Sequence, residues 1–256
     1  MAERLRPWCL GAAVVVLVAA VVPPVLTEAR RYEFVQAVQF VLLALALPAL
    51  VVLGAPWARL RLAARPGDEP RLLDRWAAAR ARHPELRRAL AFLLPELAVV
   101  VAWRTPGAVD ALSRHPWLLA VEAATLAAAG VGSWLELVPS PPLAPRTPRP
   151  WRAVQAAVAM WLVWILAYAL GFSRVSWFHA YHHAGGLSTS ADQQITTAVL
   201  WLSAAAAFLP VVFWDLLQWL KHDDDPDTEL YRLVRSERRA EVRRTPPQDG
   251  TQGRAS

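Results

Sequence analysis

His179, His182 and His183 fall within a few residues of one another, in the stretch WFHAYHHAGG that begins at Trp177, shortly before Asp192-Gln193-Gln194. If the segment is helical, their i, i+3, i+4 spacing places three imidazoles on one face, and imidazole suits copper, zinc and nickel. In a solvated, aromatic-rich loop the same spacing has no such consequence, and both readings stand at this point. Other polar residues interrupt apolar sequence at Gln36, Gln39, Glu96, Arg104 and Glu122. Glu96 or Glu122 could act as an acid or base with the histidines only if the fold brought them together. The chain has no nucleophile motif, phosphate loop or cofactor fingerprint, so it reads as a non-enzyme. Cys9 is the single cysteine, which excludes an intramolecular disulfide and a cysteine metal cage. The run Asp223-Asp224-Asp225 with Asp227 reads as a solvated juxtamembrane tail rather than a hard-cation site.

The elements that must position these residues are apolar. Hydrophobic residues make up 55% of the 256, 13 are tryptophan, and mean hydropathy is +0.27, which points to a polytopic membrane protein. Six spans are expected: Trp8–Leu26, about Glu33–Leu53 with a bend at Pro48, Ala89–Trp103 interrupted at Pro95-Glu96, Trp117–Val138, Trp151–Phe172, and Ile195–Leu220, in which Asp215 is the only ionisable residue. The fold class is all-α, a transmembrane helical bundle over residues 1–220. An arginine-rich loop at 58–88 carries an amphipathic surface helix near 71–82, and a charged, partly disordered tail occupies 221–256. Trp57, Trp103, Trp117, Trp151 and Trp219 stand at span ends as interfacial anchors.

Charge fixes an orientation. Most of the 27 Lys and Arg residues lie in the N-terminal segment, the 58–88 loop, the proline-rich connector at 139–150 with Arg152, and the tail. Only Arg30, Arg31, Arg104, Arg114 and Arg174 fall on the other side. The positive-inside rule then makes both termini cytoplasmic and turns the histidine loop outward. A net charge of +6 carried between apolar runs, without stacking aromatics on a soluble face, argues against nucleic acid and for a lipid bilayer as the surroundings.

Placed by depth, Gln36, Gln39, Arg104, Glu122, Asp192 and Gln193 gather toward the outer side, while Glu96 lies mid-membrane. A charged carboxylate there costs roughly 2.5–3.5 kcal/mol on insertion scales, so Glu96 must be protonated, paired or facing water. Interhelical hydrogen bonding is the default reading of Gln36, Gln39 and Gln155. Asp215, near the other end of its span, is read as reaching the interface.

The stretch Tyr32 to Pro56, the corner Trp103-Arg104-Thr105-Pro106, GVGSWLEL at Gly130 to Leu137 and SADQQITTAVLW at Ser190 to Trp201 resemble the CtaG-type cytochrome c oxidase assembly factors. The resemblance runs from Tyr32 to about Trp219. It implies a bacterial plasma (inner) membrane protein that serves a haem–copper oxidase, with oxidase subunits or other respiratory membrane proteins as partners and copper as the metal supplied. The family's second-helix His-Met-x-Gln-His falls on Gln36 to Phe40, its Trp-His-x-Pro corner has Arg104 in place of histidine, and its His-x-x-Glu-His-like element falls on Leu119 to Ala123. Gln39, Glu122, Asp192 and Gln193 are what the resemblance transfers. His179, His182 and His183 are then a relocated ligand set, or the protein holds a partner without metal.

Overall fold

The structure, a computed structural model, describes residues 2–57, 85–141, 143, 145, 147–173, 177, 178, 181 and 187–223. His179, His182, His183, the amphipathic helix expected at 71–82 and the acidic tail beyond Asp223 lie outside the described residues. Met1–Leu216 form one unit and Leu217–Ser256 a second, of which 217–223 are described and helical.

The described residues form helices and no strand: α1 (Ala2–Val21), α2 (Pro23–Glu28), α3 (Glu33–Val41), a π-helical turn (Leu42–Ala46), α4 (Leu47–Gly54), α5 (Glu85–Trp103), α6 (Pro106–Arg114), α7 (Leu118–Leu137), α8 (Arg149–Gly171) and α9 (Thr189–Asp223). Four continuous stretches are long and apolar enough to cross a membrane: Glu33–Gly54, Leu118–Leu137, Arg149–Gly171 and Thr189–Lys221. α5 and α6 together make a fifth, bent by 64°. The first apolar helix, Leu5–Val21, is shorter. At 1.5 Å per residue it covers about 25 Å of a hydrocarbon core about 30 Å thick. The expected first span differs for a physical reason: Pro23 and Pro24 break the helix at Val22, and α2 starts afresh on them.

Two other boundaries move. Pro95 does not interrupt the third segment, which is helical from Glu85 and so takes the last residues of the expected 58–88 loop. The break comes instead at Arg104-Thr105, where Thr105 is extended (φ −70°, ψ 145°) and Pro106, with no N–H, starts α6. α9 likewise runs on to Asp223, past the expected end at Leu220.

The molecule is apolar outside as well as inside. Trp8, Val15, Trp161, Ile165, Leu202, Phe213 and Trp214 are all more than half exposed, a pattern that suits lipid and penalises water. The interior is packed by Phe40, Leu43, Leu135, Leu200 and Phe208, with Trp134 stacked on Phe208 at 5.4 Å. Pro48 deprives the Ala44 carbonyl of its i+4 donor, and the chain meets this with the π-helical turn rather than a simple kink. Gly130 of α7 lies against that irregular stretch. A Cβ there would stand 2.6 Å from Pro48 Cγ and 3.3 Å from the Ala44 carbonyl oxygen, both held by rigid backbone or ring. Gly130→Ala is therefore expected to cost about 1–3 kcal/mol of overpacking, measured as a lowered midpoint of unfolding in mixed micelles. An unchanged midpoint would mean that α4 and α7 do not approach this closely.

Candidate polar site at one end of the bundle

Six of the residues singled out in the sequence meet at one end of the helices, and each has a definable task. Asp192, in the first turn of α9, is fully buried and accepts the Glu33 and Phe34 backbone N–H groups at 2.9 and 2.8 Å. These are the first two N–H groups of α3, which no residue of α3 can satisfy and whose partial positive charge favours a carboxylate. Tyr32, the N-cap of α3, makes no side-chain cap, so Asp192 caps that helix from another. Next to it, the Gln193 side-chain amide donates to the Leu170 carbonyl in the last turn of α8. Adjacent residues of α9 thus close the start of one helix and the end of another.

Gln39 makes the interhelical hydrogen bond expected of it, to a backbone carbonyl of α1. Its amide donates to the Ala20 carbonyl at 2.6 Å. Residue 24 is proline, so Ala20 has no i+4 donor, and the glutamine supplies the missing one. Gln36, three residues earlier, accepts from the Arg104 guanidinium. Gln155, at the middle of the bundle, donates to the Ser133 hydroxyl at 3.3 Å.

Arg104 is the centre of the site. It is 3% exposed, and its guanidinium carbon lies 5.3 Å from the Phe40 ring centroid and 5.2 Å from that of Phe178. Desolvated cation–π contacts of this kind contribute about 2 kcal/mol each. Glu33, Glu122 and Tyr181 are its electrostatic partners, and Asp192 acts on both Glu33 and Tyr181. Burial pushes the Tyr181 phenol well above its usual range, with Arg104 opposing, so it is a neutral hydroxyl at physiological pH. The corner bent at Arg104 is fastened to α7 by the Trp103 indole N–H, which donates to the Thr125 hydroxyl at 2.9 Å.

Several buried atoms here have no protein partner: Arg104 Nε and Nη2, Gln36 Nε2 and both carboxyl oxygens of Glu122. Gln36, Gln39, Glu122 and Tyr181 line a cavity of about 60 Å³. A water needs roughly 10–15 Å³ of such space and two or more polar partners, so the cavity suits a small water cluster joining these groups.

Copper prefers imidazole, thiolate and thioether, whereas this cluster offers carboxylates, amides and a phenol around a fixed positive charge. Among the described residues no group of three or more His, Cys, Asp or Glu is arranged to hold a metal ion. The described residues of the cluster do not fit copper. Glu96 stands apart from it, buried mid-bundle beside Ser133 and apolar residues that include Leu45 and Phe208. Phe178 and Tyr181, the described neighbours of the histidines in sequence, are both buried at the cluster.

Sequence reasoning missed a second polar centre at the opposite end. Arg152 near the start of α8 and Asp215 of α9 form a buried ion pair at 2.6 Å, so Asp215 does not merely reach the interface. Beside α4, the Ser140 hydroxyl donates to the Val52 carbonyl in the last turn of that helix, which also accepts the Ala55 N–H. The signal was present: Arg152 and Asp215 sit at the same depth, and opposite charges in apolar helices at one depth are candidates to pair.

Asp192→Ala leaves two helix N–H groups buried without an acceptor and is expected to cost about 2–4 kcal/mol, while Asp192→Asn, which keeps one acceptor oxygen, costs less. Denaturant unfolding of the purified variants measures both, and equal losses would contradict a capping role.

None of the curated proteins and no solved structure matches the chain. The family profile described as cytochrome c oxidase caa3 assembly factor (Caa3_CtaG) matches residues 2–222, nearly the whole of the apolar bundle and every polar residue of both ends. The chain belongs to that family of cytochrome c oxidase assembly factors.

Proposed function

We propose that this protein assists the building of a haem–copper oxidase as a non-enzymatic holding partner within the bacterial plasma membrane, both termini cytoplasmic, and that its Arg104 cluster takes no copper. The observation that supports this is Arg104 itself. A guanidinium held between Phe40 and Phe178 and turned to Gln36 already supplies the positive charge that buried Glu33, Glu122 and Asp192 call for. A copper ion brought to the same place would meet that charge and, among the described residues of the cluster, no imidazole. The polar groups then hold the ends of α3, α5, α8 and α9 together, and the apolar outer face is left to contact oxidase subunits.

A second reading keeps copper delivery and moves it to His179, His182 and His183. It is favoured by the burial of Phe178 and Tyr181, which ties that sequence to the cluster. One experiment separates the two. The detergent-purified protein is assayed for copper under reducing and oxidising conditions and for co-purifying oxidase subunits, beside a His179→Ala, His182→Ala, His183→Ala triple variant. The holding reading expects copper-free protein that retains the subunits in both forms. Stoichiometric copper lost in the triple variant would overturn it in favour of delivery. For the orientation, cysteines placed at Ser173 and Ser190 on a Cys9→Ser background are expected to label from outside intact cells, and labelling only after permeabilisation would reverse the assignment.

A further inference from the structure

Glu96 takes no part in the Arg104 cluster, and its surroundings are of another kind. It is 4% exposed, and the void it shares with Leu45 of the π-helical turn, Ala159 and Val163 of α8 and Phe208 of α9 is about 10 Å³. Such a space holds at most one water. Its polar neighbour is the Ser133 hydroxyl of α7, and no charged group among the described residues acts on it. Its Oε2 has no partner. The ionisable groups on the flanking helices stand off along their axes: Glu136 of α7 is three residues from Ser133, Arg152 of α8 seven from Ala159, and Asp215 of α9 seven from Phe208. Glu122 of α7 lies further off, at the Arg104 end.

From Ser133 a row of polar side chains runs toward the end of the bundle that holds Arg152 and Asp215. The Gln155 amide of α8 donates to the Ser133 hydroxyl at 3.3 Å, and the buried Gln155 Oε1 has no partner. Three residues back on α8 stands Arg152, whose buried Nε has none either. These two orphans are complementary, an acceptor and a donor on successive turns of one face, and a single water would serve both. On α7 the fully buried Glu136 continues the row and accepts the Thr147 hydroxyl at 3.3 Å. Toward the Arg104 end the row stops. No polar side chain occurs from Leu97 to Ala102 on α5 or from Leu126 to Gly132 on α7, and from Ala156 to Ala167 α8 has only the indoles of Trp161 and Trp164.

The row accommodates either form of the carboxyl. With Gln155 donating, Ser133 gives its hydrogen to a carboxylate; with the amide reversed, Ser133 accepts from a carboxylic acid and donates to Gln155 Oε1. A carboxylate at this depth, with one donor and no cation, is costly, and the neutral acid escapes that cost.

We propose that Glu96 is a proton-binding site within the membrane, its carboxyl neutral, which exchanges its proton along Ser133 and Gln155 with the end of the bundle that holds Arg152 and Asp215. The assignment is independent of how the Arg104 cluster is read and of which way that end faces.

Infrared difference spectra between the full-length protein reconstituted in vesicles and its Glu96→Gln variant, at neutral pH, test the protonation. The wild type is expected to show one protonated carboxyl band per chain that the variant lacks. Loss of carboxylate bands in its place overturns the proposal. In heavy water the same band moves to lower frequency as the acid proton exchanges, and its time course reports the route. Gln155→Leu, of similar size, should slow that shift about tenfold, the effect of one lost hydrogen bond on a rate. Thr125→Val, at the Arg104 end, should leave it unchanged. An unslowed shift in Gln155→Leu, or slowing by Thr125→Val instead, overturns the route. If Gln155→Leu does not fold, Ser133→Ala carries the same expectation, and the Glu96→Gln comparison needs neither.

Discussion

Replacing Arg104 with alanine is expected to lower stability by about 3–5 kcal/mol, the largest loss of any single change in this chain. The reason is asymmetric. A buried charge among opposite charges contributes little net stability while the set is complete, but removing one member leaves the others buried without compensation. Here the remaining members are Glu33, Glu122 and Asp192, of which Asp192 is fully buried and Glu122 1% exposed. Arg104→Lys should restore only part of the loss, because an ammonium has no plane to lie over Phe40 and Phe178 and one fewer way to meet Gln36. Unfolding in mixed micelles reads out both variants, and a double-mutant cycle with Phe178→Leu should show coupling of about 1–2 kcal/mol. A loss below about 1 kcal/mol for the alanine variant would mean that the guanidinium is not the centre of the site.

The ion pair at the other end should behave in the same way on a smaller scale. Arg152→Ala or Asp215→Ala alone is expected to cost about 2–4 kcal/mol, since each leaves the other charge without its partner at 2.6 Å. Replacing both together, Arg152→Met with Asp215→Leu, should be near neutral for folding, because apolar side chains of similar size suit the lipid-depth environment. The pair lies near the edge of the bundle, where its field is partly shared with Arg149, so its loss should not match that of Arg104. If the double replacement proved as costly as either single one, the pair would have to contribute packing that charge alone does not explain.

What could be read beforehand divides by range. Apolar length placed the four continuous stretches that are long enough to cross a membrane, because a run of about 20 apolar residues is a property of the sequence itself. The gathering of Gln36, Arg104, Glu122, Asp192 and Gln193 at one end was legible as well, since alternating spans fix which ends lie together. Their partners were not. Gln36 and Gln39 share a helix face, yet one serves Arg104 and the other the Ala20 carbonyl, because the demand at Ala20 is created by Pro24 on another helix. That demand could have been found by asking which carbonyls the prolines leave without donors. Phe40 and Phe178 gave no signal, because an aromatic ring over a guanidinium has the same composition as ordinary core. The bend at Arg104 was obscured by Pro95, the more conspicuous breaker, which the helix in fact accommodates.

Asp192 and Gln193 lie side by side at the head of α9, one holding the start of α3 and the other the end of α8. A sliding or twisting of α9 by a single residue would undo all three bonds at once, since each next position turns about 100° around the axis. These three helix ends therefore work as a clasp that is either shut or fully open, with no half-released state between.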